Sequence, residues 1–389
     1  MQFSDKYNSL EPEIFALLNA RKVELEAAGK KIYNLSVGTP DFRTADHIMN
    51  TLRDEATNPE NWKYTLRDIP EMLDAVCYYY KDRFGVDITP DMVCSCPGSQ
   101  EGLGLLGQVL CNKGDTILLP TPCYPAFITC AKLAEAEPYY YPMLKENDFL
   151  PDVSSIPEDV ARKAKFMIVS LPSNPMGSVG TPEVYREIIE FGKKYDIIII
   201  HDNAYSDIVF DGKVCGSFLN YEGSVDVGAE FFSLSKSFNV TGARLSFFVG
   251  NPELVGAFRK FRRQIDFGMF LPMQKVAIAI LRGPREQVKK QCADYQARRD
   301  ALCSSLREIG WDLDDSHGSM FVWAPIPEGY GSSMDFCMEL MDKTGVICTP
   351  GECFGPLGHG YVRFGLTMPS EKIKEAVKAI ADSGILKKH

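Results

Sequence analysis

Three cations and one carboxylate stand where short apolar runs end, and their spacing suggests work on a small anionic molecule. Lys236 closes the run Phe231-Phe232-Ser233-Leu234-Ser235-Lys236, and Arg244 follows eight residues later. A lysine at the C-terminal end of a buried strand stands where open α/β sheets bind ligands. Alone it is weak evidence, because most such lysines are simply solvated. Ser233, Ser235 and Arg244 beside it supply hydroxyl donors and a second cation, a plausible cup for a phosphate. The carboxylate is Asp202, placed after the isoleucine run 197–200 in Ile200-His201-Asp202-Asn203-Ala204-Tyr205. A charge at the end of so apolar a strand is costly without a partner. It either caps the next helix or keeps a heterocyclic nitrogen protonated, with the Tyr205 phenol close by. His201 reads as a residue packed on the sheet or orienting a neighbour rather than as a base.

Four further segments follow apolar runs. Asn174, in Ser173-Asn174-Pro175, offers an amide in a turn. Ser99 and Gln100, in Pro97-Gly98-Ser99-Gln100, open an apolar helix whose first N–H groups make an anion site. Tyr124 stands between Pro122-Cys123 and Pro125, able to stack on a flat ring or simply to fill a turn. Arg363, in Gly360-Tyr361-Val362-Arg363-Phe364, faces opposite to Val362 and Phe364 on a short strand, and its planar fork suits a carboxylate. Gly102, Gly104 and Gly107 match a dinucleotide fingerprint as a bare pattern. They fall inside a helix rather than in the turn before it, which points to close helix packing instead.

The elements that must position these residues are legible as alternation. Between about Asp91 and Gly250, apolar runs (92–94, 116–119, 166–169, 197–200, 231–232 and 245–249) alternate with helix-period segments such as the one opened by Thr181-Pro182. That pattern predicts a largely parallel sheet covered on both faces. After about Gly283 a charged helix (285–309) leads into strands near 319–323 and 360–364, a smaller α+β body. The N-terminal residues, helical from Pro12 to Ala28, are expected to pack against it. The 389 residues suit two or three domains, and the net charge of −10 without a basic patch argues against nucleic acid or membrane partners. The twelve cysteines include no Cys-x-x-Cys pair, so no zinc framework is expected and a reducing, cytoplasmic setting is. No stretch reaches the ~20 apolar residues of a membrane span.

Taken in order, Asn174, Asp202 with Tyr205, Ser233-x-Ser235-Lys236, Arg244 and Arg363 resemble the fold-type I, class I/II aminotransferases that use pyridoxal 5′-phosphate (PLP). The resemblance runs from Val37-Gly38-Thr39-Pro40-Asp41 to Arg363. The stretches 201–207 and 227–242 are similar to LL-diaminopimelate aminotransferases. Ala243 and Ser246 depart from the Trp and Gly usual there, and 64–70 lacks the usual Gly. The resemblance implies a mostly parallel seven-stranded sheet in a large domain (45–283), with 1–44 and 284–389 forming a small domain. It implies that Lys236 binds PLP covalently and shuttles a proton, that Asp202 holds the ring nitrogen protonated, and that Tyr205 and Asn174 bond the ring hydroxyl. Tyr124 would stack on the ring, and Ser99, Gln100, Ser233, Ser235 and Arg244 would hold the phosphate with Tyr64 of a second subunit. Arg363, with Asn174 and the Gly38 backbone, would take the substrate carboxylate. A homodimer with shared sites is expected, 264–270 reaching the neighbouring site. The reaction implied is amino transfer from an α-amino acid to a 2-oxo acid, with 2-oxoglutarate as acceptor and LL-diaminopimelate, aspartate or alanine types as donor. A PLP-dependent C–S β-lyase of the same fold is the alternative.

Overall fold

A computed structural model describes residues 1–10 and 14–387. At its centre lie β1 (Val93–Cys96), β2 (Thr116–Thr121), β3 (Glu137–Pro142), β4 (Ala164–Val169), β5 (Ile198–Asn203), β6 (Gly228–Ser233) and β7 (Ser246–Gly250). They form one seven-stranded sheet in the order β1-β7-β6-β5-β4-β2-β3. Every neighbouring pair is parallel except those made by β7, which runs antiparallel to both β6 and β1. Successive side chains along a strand enter opposite cores. Ile199 packs on one face and Ile200 on the other, and Met167/Ile168, Phe232/Phe231 and Phe247/Phe248 divide in the same way. A sheet buried on both faces needs apolar residues at every position, so its strands read as unbroken runs rather than as alternation.

One strand, β3, has no counterpart among those runs. Its sequence Glu-Pro-Tyr-Tyr-Tyr-Pro is partly exposed and lies at the sheet edge, where a proline's missing N–H costs least. The helix α1 (Ser99–Leu110) packs on α2 (Pro125–Ala134) and on the sheet through the glycines of the false fingerprint. A Cβ at Gly102 would lie 2.3 Å from the Phe231 ring, and one at Gly107 would lie 2.9 Å from Cys130 Sγ. Helix α3 (Pro182–Tyr195) starts where Thr181 accepts from the Val184 N–H, with Pro182 in its first turn.

Beyond the sheet, α4 (Glu286–Glu308) leads into β8 (Phe321–Pro325), β9 (Thr349–Pro350) and β10 (Tyr361–Gly365), an antiparallel trio in the order β9-β10-β8. The N-terminal segment joins this part of the molecule. Tyr33–Asn34 pairs in parallel with Val346–Ile347, and Leu18 packs on Met341 and Ile347. The helix before it spans Ile14–Ala27, and its expected start at Pro12 lies outside the described residues. Among the described residues no helix is long and apolar enough to cross a membrane.

The contact at Gly102 yields a stability prediction. Gly102→Ala should destabilise the fold by about 1–3 kcal/mol through overpacking against Phe231, although alanine is the better helix former. Urea unfolding followed by circular dichroism measures it; a variant as stable as the parent would show that the ring yields freely.

Candidate functional site

The topology brings the singled-out residues to one edge of the sheet. Asp202 is the penultimate residue of β5, Asn174 lies five residues after β4, Lys236 three after β6, Tyr124 three after β2 and Ser99 three after β1. These are all C-terminal strand ends, where an open α/β sheet binds ligands. Arg244 precedes β7, but β7 is antiparallel and its Ser246 pairs with Ser233, so its start lies at the same edge. Arg244 itself takes a left-handed backbone conformation at φ 55°, a strained geometry typical of functional turns. Across the crevice, β10 presents Arg363, whose strand neighbours are Thr349 on β9 and Trp323 on β8.

The cavity so formed holds about 380 Å³. Its walls include Gly38, Ser99, Gln100, Tyr124, Asn174 and Asp202 on one part, and Tyr205, Ser233, Ser235, Lys236, Arg244 and Arg363 on the rest. Lys236 Nζ donates to the Gly38 carbonyl at 2.5 Å. Arg363 is almost fully buried; it donates to Asn174 Oδ1 at 2.9 Å and to the Ser36 carbonyl at 2.9 Å. Its guanidinium carbon lies 4.0 Å from the centre of the Phe321 ring, a cation–π contact that also fixes the plane of the fork. The Tyr124 hydroxyl donates to Gln100 Oε1 at 2.9 Å, so Gln100 anchors the aromatic side chain.

Burial sets the charge states. It raises the Asp202 carboxyl to about 6, against the opposing pull of His201 and Lys236. It lowers Lys236 to about 8, helped by Arg363 and Arg244, with Asp202 acting in the opposite sense. Arg363 falls to about 10, again through burial, with Tyr205, Cys353 and Tyr124 offsetting part of it. Tyr205 and Tyr124 are both raised, chiefly by burial, and stay neutral phenols. An amine lowered by desolvation is a nucleophile near neutral pH.

Tyr64 is the one expected site residue that the fold does not bring to this cavity. It is 78 % exposed and touches Phe267, ring centroids 5.3 Å apart. Val37, Thr39, Thr241 and Phe321 also line the cavity without having been singled out in the sequence. Phe321 could not have been: it looks like any residue of an apolar strand, and only the register of β8 against β10 sets it under Arg363.

The residues fit PLP on their own evidence. Asp202 Oδ1 and Ser99 Oγ are buried without a hydrogen-bond partner, an arrangement that native proteins avoid unless a ligand completes it. Ser99 begins α1, whose free N–H groups favour a phosphate, and Gly98 before it takes φ 92°, a backbone conformation that side-chain-bearing residues rarely adopt, with the Arg244 guanidinium directly over its Cα. An anion cradle, a carboxylate lacking a partner and a desolvated amine thus line one cavity, matching the phosphate, ring nitrogen and aldehyde of that cofactor.

Comparison with known proteins agrees with this geometry. Residues 30–380 match the family described as aminotransferase class I and II. The chain is 39% identical to the LL-diaminopimelate aminotransferase of Dehalococcoides mccartyi, over 98% of this chain and 99% of that protein. It is also 39% identical to the enzyme of that name from Aquifex aeolicus, over 97% and 98%. The substrate-bound structure of BacF from Bacillus subtilis superposes with a TM-score of 0.94 at 35% identity, covering 98% of each chain. The chain belongs to the class I and II aminotransferases, PLP-dependent transaminases of fold type I.

Proposed function

We propose that the cavity at the C-terminal edge of the sheet is the transamination site and that Lys236, Asp202 and Arg363 carry the reaction. The observation behind this is their convergence: a buried carboxylate oxygen without a partner, an amine lowered to about 8 and a buried arginine line one cavity. Bound there, PLP supplies the electron sink that stabilises negative charge at the substrate α-carbon. Lys236 would hold the cofactor covalently and, when its amine is free, would move the proton at the substrate Cα. Asp202 holds the proton on the ring nitrogen, and its value of about 6 leaves it mostly ionised at neutral pH. Asn174 has its Oδ1 engaged by Arg363, which leaves its amide N–H₂ to donate to the ring hydroxyl oxygen beside Tyr205. Tyr124 would stack on the ring, while Ser99, Gln100, Ser233, Ser235 and Arg244 would hold the phosphate. Arg363, aided by Asn174 and the Gly38 backbone, orients the substrate carboxylate bidentately.

The chain works as two bodies, residues 45–283 and residues 1–44 with 284–389, and the cavity lies where they meet. It acts in the cytoplasm as a homodimer. The exposed side chains Trp62, Tyr64, Leu66, Ile265 and Phe267, with Trp62 and Tyr64 packed against rings of 267–270, form an apolar surface that a second copy would cover. In that arrangement Tyr64 reaches the neighbouring phosphate, and 264–270 borders the neighbouring site. The donor is proposed to be LL-diaminopimelate, on the identity to enzymes of that name, with 2-oxoglutarate as acceptor and an aspartate- or alanine-type donor next in order.

Three measurements follow from these assignments. The rate at which apo-protein takes up PLP covalently should rise with pH through about 8, because only unprotonated Lys236 attacks; Lys236→Ala should leave no borohydride-reducible bond. An inflection near the ordinary lysine value, or a retained bond, would show that another amine is used. Mixed dimers of Lys236→Ala and Tyr64→Ala chains should regain one intact site and full cofactor affinity there; failure to regain it would remove Tyr64 from the shared site. A panel of amino donors with 2-oxoglutarate should form glutamate, fastest with LL-diaminopimelate. Pyruvate and ammonia released from cysteine-type substrates, without glutamate, would instead favour the C–S lyase reading.

A further inference from the structure

Beneath Asp202, on the face of the sheet away from the cavity, lies a fully buried polar cluster that the reaction as described does not use. Its centre is Glu230 of β6, which has no exposed surface. Tyr80 and Ser217 donate their hydroxyls to Glu230 Oε1 at 2.7 and 2.6 Å. The Phe218 N–H, His201 Nδ1 and Asn203 Nδ2 approach Oε2 at 2.9, 3.1 and 3.2 Å. Burial pushes the Glu230 carboxyl up, but hydrogen bonds from His201, Ser217 and Tyr80 outweigh it and leave it below the usual glutamate range. Five donors on two oxygens fit an ionised carboxylate and leave no acceptor site for a proton.

Two of those donors flank Asp202. Side chains alternate along a strand, so His201 and Asn203 point to the face opposite Asp202, and Glu230 grips both. His201 is pinned at its other nitrogen too, Nε2 lying 3.1 Å from the Leu171 carbonyl. A carbonyl oxygen can only accept, and so can an ionised carboxylate, so a hydrogen on each ring nitrogen satisfies both neighbours and leaves the Tyr185 hydroxyl to donate to the Leu171 carbonyl at 3.4 Å. The Tyr185 hydroxyl, 3.2 Å from Nε2, is the remaining polar contact of the ring. The other titratable groups of the cluster, Tyr80, Tyr185 and Cys215, are raised by burial and neutral. Glu230 pairs in register with His201, not with Asp202, so the histidine is the member of the pair adjoining Asp202 along the chain.

We propose that Glu230 and His201 are positioning residues for the reaction: Glu230 locks the strand on both sides of Asp202 and keeps His201 doubly protonated, and that imidazolium holds Asp202 as a carboxylate. The pair acts through Asp202 and touches neither cofactor nor substrate. This rests on Asp202 serving the ring nitrogen, as proposed above. Removing the imidazolium favours transfer of the shared proton from the ring nitrogen to Asp202, because the carboxylate loses a charge that favours its ionised form.

The test is ¹⁵N NMR of the holoenzyme at neutral pH, with label in histidine and in the cofactor ring. In the parent protein both His201 nitrogens and the ring nitrogen should be protonated. In Glu230→Gln one His201 nitrogen should lose its proton, and the ring-nitrogen signal should move toward the unprotonated position. His201→Gln should move the ring signal in the same direction, and Glu230→Asp should restore it, which a purely structural role would not produce. A parent His201 with one bare nitrogen overturns the proposal. So does a ring nitrogen that stays fully protonated in His201→Gln or Glu230→Gln. Asp202→Asn separates the two ideas: a ring nitrogen still protonated there means that the assignment of Asp202 fails, whatever the pair does.

Discussion

The site depends on keeping one carboxylate ionised where water hardly reaches it. Asp202 stands at the end of a strand whose preceding residues are isoleucines, and burial raises its carboxyl to about 6. An isolated charge there would be prohibitively expensive and would neutralise instead. The fold opposes this: Lys236 on the cavity side and His201 along the strand both pull the carboxyl down. Placement of the strand ends is therefore electrostatic as well as geometric. The parallel strands deliver Asp202, Asn174, Lys236, Tyr124 and Ser99 to one edge, and the reversed direction of β7 is what delivers Arg244 there too.

Much of this was legible before any coordinates. Double-sided burial writes itself as continuous apolar runs, so most of the central strands could be placed to within a residue or two. Strand ends then pointed to the polar residues that follow them, and twelve of the expected site residues line one cavity. What stayed illegible has physical reasons. Strand β3 is a Pro- and Tyr-rich edge strand, whose pairing is stabilised by its neighbour rather than by its own pattern. Phe321 acts through register across two strands distant in sequence, and Ser36 contributes only a backbone carbonyl. The Glu230 cluster draws on residues from 80 to 230, and its donors are ordinary residue types until the chain folds.

The glycines of α1 show how one pattern serves two physical ends. In a dinucleotide site they would let a phosphate approach the backbone. Here the same spacing lets a helix approach a strand and a second helix, with Gly102 over Phe231 and Gly107 over Cys130. The anion site survives one turn earlier, at Gly98 and Ser99, where the helix begins and its N–H groups are free. Context, strand end against helix interior, decides between the two uses.

Charge also explains how an acidic protein binds doubly anionic ligands. The chain carries a net charge of −10, yet its cavity gathers Lys236, Arg244 and Arg363 around a single carboxylate. Burial lowers both Lys236, to about 8, and Arg363, to about 10, and the neighbouring Arg363 and Arg244 add to the fall of Lys236. A phosphate and a carboxylate together would offset this positive charge. A ligand lacking the carboxylate would leave the buried Arg363 without an anionic partner, whereas Arg244 is exposed to solvent. A preference for a phosphate and a carboxylate together is what an unbalanced Lys236, Arg244 and Arg363 would give.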